Sequence, residues 1–296
     1  MSFLNAIFQG LLQGFTEFLP VSSSGHLSLF QYFTGVNSEG SVLFSVLLHF
    51  GTLAAVMIAF WPTIWALIQE AVLLLRDIFT LRVTKVKPNS KRRMIYMLIL
   101  SCFPLLLVLL VQDRITALSA DNSILAEGVC FLGTALLLTL ADHAIPGKKT
   151  AKTMTGGDAL VIGAAQLMAT LPGISRSGST ISAGLIMGLS RSYAVAYSFI
   201  LGLPAVLAAG LLDLKDLMSG TGAAASLEWG PALVGMVVAA ISGFFAIKLV
   251  NYIVNANKFR IFAIYTAVLG TVVVILGIIE IVTGNAIQGF IVGLLA

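Results

Sequence analysis

The sequence predicts an all-α polytopic membrane protein, an inverted-topology repeat with two re-entrant helical hairpins and about six full transmembrane helices. Three observations carry that expectation. The chain of 296 residues is 58% hydrophobic and only 10% charged, where a soluble domain carries about 25% charge. Its mean hydropathy is +1.00, so it has too little polar surface to cover a globule in water. Two stretches starting at Gln13 and Gln166 share a half-helix, a Leu-Pro break and a Ser/Gly turn.

A helical span needs about 20 apolar residues. On that test full-length helices are expected near residues 41–61, 94–111, 123–141, 192–212, 231–250 and 261–282. Residues 5–33 and 158–189 differ, because Pro, Gly and a serine cluster cut each apolar run. Broken helices are tolerated at membrane depth only where protein or a wet cavity satisfies the freed backbone groups. Both are read as re-entrant hairpins, with a single kinked span as the alternative for each. Residues 62–81 are apolar but carry Gln69, Glu70, Arg76 and Asp77, and are expected to lie along the interface. The tail, 284–296, is read as a second interfacial helix.

Loop charge orients the spans. Residues 76–93 carry seven Lys/Arg, and residues 142–157 and 248–260 carry three each, while 112–122 and 213–230 are poor in them. The positive-inside rule places the basic loops in the cytoplasm. The basic pI, near 9.1, is therefore no sign of nucleic-acid binding. Residues 1–20 lack a basic n-region, so no cleavable signal peptide is expected. Cys102 and Cys130 lie in apolar runs and are expected as free thiols, and three scattered histidines give no zinc-site spacing.

Gln13 and Gln166 stand 153 positions apart, as do Phe44 and Tyr197, in the similar runs FSVLLHFGTLAA and YSFILGLPAVLA. The charge rule sends these two runs across the membrane in opposite directions. Repeat one is placed at 1–141 and repeat two at 158–296, within a single membrane domain. Transporter folds use this plan, with the site at the midplane where two broken elements meet.

In the first hairpin Asn5, Gln9, Gln13 and Glu17 recur every four residues and share one helical face, Glu17 deepest. Gly10 and Gly14 permit close helix approach on an adjacent face. A carboxylate at mid-bilayer costs about 2.5–3.5 kcal/mol on insertion scales. It requires a partner: an arginine, a proton or a metal ion. Ser22, Ser23 and Ser24 follow the break; they can cap the returning helix and offer hydroxyls to an anion. His26 stands within one turn of them, and His49, aligned with Gly202, is expected to line a cavity. In the second hairpin Thr170 takes the place of Glu17 and the turn carries Arg176. A guanidinium matches phosphate oxygens in pairs. Gly173 and Gly178 admit backbone amides to an anion, and Ser175, Ser177, Ser179 and Thr180 add hydroxyls. The pattern indicates a phosphate grip.

The runs QGFTEFLPVSSSGH (13–26) and PGISRSGST (172–180), in that order and with spans between them, resemble the undecaprenyl-diphosphate phosphatase family of bacitracin-resistance type. The resemblance covers nearly the whole chain. It implies an integral phosphatase of the bacterial inner membrane, its active site facing the periplasm. The implied reaction turns undecaprenyl diphosphate into the monophosphate carrier lipid of cell-wall synthesis plus phosphate, with a divalent cation, Mg²⁺ or Ca²⁺. Partners would be the isoprenyl diphosphate and membrane lipids, with no nucleic acid; a homodimer is left open. Carried over by position, the catalytic residues are Glu17, Ser23, His26 and Arg176. The phosphate grip is Ser175, Arg176, Ser177 and Thr180, to which the residues' own chemistry adds Ser22, Ser24 and Gly173, and the metal ligands are Glu17 and Gln13. The first acidic position, often glutamate in that family, is Gln13 here, which leaves one carboxylate for the metal. Either Ser23 or a water, activated by His26, is the nucleophile. A transporter or flippase for an isoprenyl-phosphate lipid or small anion is the rival reading. Against it stands the asymmetry of the halves, acid and histidine in one and arginine in the other.

Overall fold

A computed structural model describes residues 2–34, 41–83, 85–108, 110, 123–218 and 228–295. The described residues are helical throughout, without a β-strand. Helix α1 (Phe3–Phe18) stops where Pro20, with no amide hydrogen, cannot extend it, and α2 (Ser23–Thr34) returns after a four-residue turn. Next come α3 (Ser41–Ala59) and α4 (Trp61–Phe79), which meet at 88°. Helix α5 (Ser90–Cys102) runs into a 3₁₀ turn, Pro104–Leu107. Helix α6 (Leu125–Asp142) precedes a second broken pair, α7 (Gly156–Met168) and α8 (Arg176–Ile186). Last are α9 (Arg191–Met218), α10 (Trp229–Asn255), α11 (Arg260–Thr283) and the short α12 (Ala286–Leu295).

Four helices, α6, α9, α10 and α11, are long and apolar enough to cross a bilayer, or five spans if the bent pair α3–α4 counts as one. The chain is a multi-pass membrane protein. Of the six spans expected, 123–141, 192–212, 231–250 and 261–282 coincide with α6, α9, α10 and α11, and 41–61 with the 19-residue α3. At 94–111, α5 has 13 residues and gives way at Pro104 to a 3₁₀ turn, and residues 109 and 111–122 lie outside the described part.

Helix α1 lies along α10, and α10 along α3, while α6 lies along α11 and against α8. The α1–α10 seam is made of small residues. Gly10 faces Gly235, and a Cβ on Gly14 would overlap Ser242 Oγ and stand 2.6 Å from the Ala239 carbonyl oxygen. In lipid, backbones approach this closely only across glycine and other small side chains. That seam fixes the polar face of α1: Gln9, Gln13 and Glu17 are all buried.

Away from the hairpins, Arg92 on α5 sits buried between two carboxylates of α4, 2.7 Å from Glu70 and 2.9 Å from Asp77. Asn89 caps α5 and also donates to Glu70, at 2.7 Å. Glu70 and Asp77 lie in the stretch expected along the interface and Arg92 in a basic loop; packing α4 across the start of α5 buries the three together. Cys102 and Cys130 are free thiols.

Candidate active site

The turns of the two broken helix pairs share one hydrogen-bond pattern on different backbones, Ser175 having φ −72°. In the first, Ser22 adopts φ +72° and its Oγ accepts from Gly25 N (3.3 Å) while lying 3.3 Å from Ser24 Oγ. In the second, Ser175 Oγ accepts from Gly178 N (3.0 Å) and lies 3.3 Å from Ser177 Oγ. Every member of the second cap stands 153 residues after its counterpart in the first. The position between the paired serines is Ser23 in one turn and Arg176 in the other, and both side chains end on Glu17.

Glu17 is 7% exposed. Its Oε1 receives Arg176 Nη2 at 2.5 Å, and its Oε2 receives Ser23 Oγ at 2.7 Å and Gln13 Nε2 at 3.1 Å. Both carboxylate oxygens are thus engaged, as a buried charge demands. The other arm of the arginine is different: Nη1 is buried and has no hydrogen-bond partner among the described residues. Gly202 explains how the guanidinium fits, since a Cβ there would occupy the position of Nη1.

These groups border a cavity of about 270 Å³, the share of roughly nine liquid waters. Its walls include Thr16 and Glu17 from α1, Ser22, Ser23 and Ser24, Ser175 and Arg176. Helix α3 contributes Ser45, Val46 and His49, and α9 contributes Ala205, Val206 and Gly210. A hollow of only about 10 Å³ also touches the Glu17–Arg176 pair, walled mainly by apolar groups of α3 and α9 such as Leu53, Val56, Phe199 and Leu203. The cavity has room for a phosphorylated head group and none for a long prenyl chain.

Several residues named from sequence lie elsewhere. His26 does not reach the serine hydroxyls. Its Nδ1 is 2.7 Å from the Ser22 carbonyl oxygen and its Nε2 2.7 Å from the Tyr265 hydroxyl, against whose ring it stacks. The carbonyl can only accept, so Nδ1 donates, and the neutral ring's Nε2 accepts from tyrosine. Both nitrogens are spent in bracing the first turn against α11. Gly173, Ser177 and Thr180 also lie outside the cavity wall. Gly173, at φ +92°, makes the second turn and packs against Glu127 and Cys130. Ser177 donates to the Leu19 carbonyl oxygen (3.3 Å), joining the two turns. Thr180 donates to the Arg176 carbonyl oxygen (2.8 Å) and pairs with Ser198 of α9 (2.5 Å). These three residues hold the grip without lining it. Thr134 was not singled out from sequence, though it accepts from Ser175 N (3.0 Å) and donates to the Gly173 carbonyl oxygen (3.2 Å). A lone threonine in an apolar helix gives no such signal.

Among the described residues no three His, Cys, Asp or Glu side chains cluster as a metal site. One feature does suit a hard cation. Gln13 Oε1 is buried without a partner, beside the carboxylate to which its own Nε2 donates. An amide oxygen and a carboxylate oxygen are ligands of the kind Mg²⁺ and Ca²⁺ accept, with water and substrate oxygens filling the shell.

The fit between Gly202 and Arg176 carries a prediction. Gly202→Ala is expected to fold with little change in melting temperature, because the clashing group is the end of a flexible side chain. It should lower phosphate release about 10²-fold, the scale of displacing a catalytic group by about an ångström. Paired melting curves and initial rates check both halves.

The model of the family described as bacitracin resistance protein BacA matches residues 6–272. A relative from Halothermothrix orenii, called undecaprenyl-diphosphatase, is 39% identical over 93% of this chain and 98% of its own length. Relatives of the same name from Methanosphaera stadtmanae (36%, covering 94% and 99%) and Carboxydothermus hydrogenoformans (38%, covering 93% and 98%) are similar along their whole lengths. With its two serine-capped turns closing on one carboxylate, and matched from near its first helix into its penultimate one, this chain belongs to the BacA family.

Proposed function

We propose that the chain hydrolyses undecaprenyl diphosphate to undecaprenyl phosphate and inorganic phosphate, recycling a lipid carrier of cell-wall synthesis. The observation that carries this is Arg176: a half-buried guanidinium on the cavity wall, with one arm anchored on Glu17 and the other, Nη1, packed against Gly202 without a hydrogen-bond partner among the described residues. A fixed positive charge on the cavity wall suits an anion whose charge shifts during reaction. Family membership and the names of the relatives point to the same substrate.

In this reading the diphosphate enters the cavity while its prenyl tail stays among the spans. Ser23 Oγ, aimed by Glu17 at 2.7 Å, attacks the terminal phosphorus. The hydroxyl proton passes along that hydrogen bond to Glu17 Oε2. The bond from the terminal phosphorus to the bridging oxygen breaks, and prenyl monophosphate leaves with the electron pair and that proton. Water then cleaves the phosphoserine, giving inorganic phosphate and restoring the hydroxyl. Arg176 holds the transferring group throughout. His26 braces Ser22 instead of acting as the base. Gln13 Oε1 and Glu17 would hold a divalent cation, which when bound neutralises phosphate charge.

The basic loops support a cytoplasmic placement of residues 76–93, 142–157 and 248–260, and with it a periplasmic site in the inner membrane. The equal spacing of the two caps supports the inverted repeat, with each broken helix pair entering and leaving on one side.

The test is phosphate release by detergent-purified protein from farnesyl diphosphate and the C55 diphosphate. Release is expected, and EDTA should remove most of it, with excess Mg²⁺ or Ca²⁺ restoring it. A folded protein that releases no phosphate from either substrate would sink the hydrolytic reading in favour of a carrier.

A further inference from the structure

Ser23 and Arg176 occupy equivalent positions, and so do His49 and Gly202, each pair 153 residues apart. In the second half the guanidinium reaches from α8 and lies against the bare backbone of Gly202 on α9. In the first half the arrangement is exchanged. The turn carries only a hydroxyl, and the nitrogen-bearing group, His49, comes from α3. Each half therefore sends one nitrogen group into the same cavity, by a different helix.

The wiring of His49 leaves one end open. Its Nδ1 is 2.8 Å from the Ser45 carbonyl oxygen, an acceptor only, so Nδ1 carries hydrogen. Its Nε2 has no hydrogen-bond partner among the described residues. The other ionisable groups of the cavity wall, Glu17 on α1 and Arg176 on α8, are spent largely on each other. Their charges cancel, whereas a diphosphate brings at least two negative charges and two sets of oxygens. Phosphate oxygens buried without partners are costly.

We infer that His49 is a second phosphate-binding residue. Nε2 accepts from a protonated phosphate oxygen or, on the imidazolium, donates to a non-bridging one, and either bond makes His49 the first half's counterpart of Arg176. This rests on the cavity being a diphosphate site and deepens that reading.

The experiment measures equilibrium binding of a farnesyl diphosphate analogue, its bridging oxygen replaced by methylene, to the full-length purified protein. His49→Leu fills similar space without a polar group and should raise Kd about tenfold or more, the scale of losing a hydrogen bond to a charged group. His49→Gln, whose amide can donate or accept at similar reach, should stay within about threefold of the parent. If His49→Leu does not fold, His49→Ala takes its place with the same expectation. A Leu or Ala variant within threefold of the parent overturns the inference. So does equal weakening in the Gln and apolar variants, or a parent protein that does not bind the analogue. A parent that binds it yet releases no phosphate from farnesyl diphosphate defeats the hydrolytic reading alone, and the variants still decide the role of His49.

Discussion

Arg176→Ala is expected to lower phosphate release from farnesyl diphosphate by about 10³-fold or more, the range for arginines that stabilise a transferring phosphoryl group. Two losses combine. Nη1, the unused donor of the site, disappears, and Glu17 is left as a buried carboxylate without its cation. Stripping one partner from a buried pair costs about 3–5 kcal/mol, so a lower melting temperature should accompany the lost activity. Joining Arg176→Ala to Glu17→Gln separates the effects: stability should return while turnover does not. Arg176→Lys should keep the ion pair and fold, yet remain impaired, since one ammonium cannot hold Glu17 and a phosphate in the guanidinium's forked geometry. Wild-type turnover in the alanine variant would remove Arg176 from the mechanism.

Ser23→Ala should be nearly as damaging. Loss of a covalent nucleophile in a serine hydrolase can cost about 10⁶-fold in kcat. Here the grip of Arg176 and the two serine caps stays in place, so substrate binding should weaken little. A drop in kcat of about 10³-fold or more with KM nearly unchanged identifies a nucleophile. Acid quench of the parent protein after mixing with diphosphate labelled on its terminal phosphorus should trap label on the chain, and the alanine variant should trap none. Near-normal turnover in Ser23→Ala would move the attack to water and leave Glu17 as its positioning group.

Much of this site was written locally. The Asn5–Gln9–Gln13–Glu17 ladder needs only the helical period, and the two caps follow from serine and glycine after a break, repeated at one spacing. Those signals lie within a few residues of the group they place, so the sequence shows them directly. Other features depend on what tertiary packing brings near. The position of His26 within a turn of the serines was compatible with general-base chemistry. Its Nε2 is instead taken by Tyr265, 239 residues away, a contact no local spacing encodes. Thr134 and Ser198 likewise clamp the second turn from distant helices. At 94–111 an apolar average hid Pro104, where α5 gives way to a 3₁₀ turn. Arg92 reads from sequence as one of the basic residues of the cytoplasmic loop 76–93, because loop charge does not register the two carboxylates waiting on α4.

The ion pair at the centre has one more consequence. By holding Glu17 against Arg176, the resting protein keeps an anion of its own in half of the arginine's fork. An incoming orthophosphate meets a resident competitor and gains only the remaining arm. A diphosphate, with oxygens enough to reach several donors at once, loses less to that competition. Weak product inhibition by free phosphate is therefore expected, and a phosphate titration of initial rates checks it.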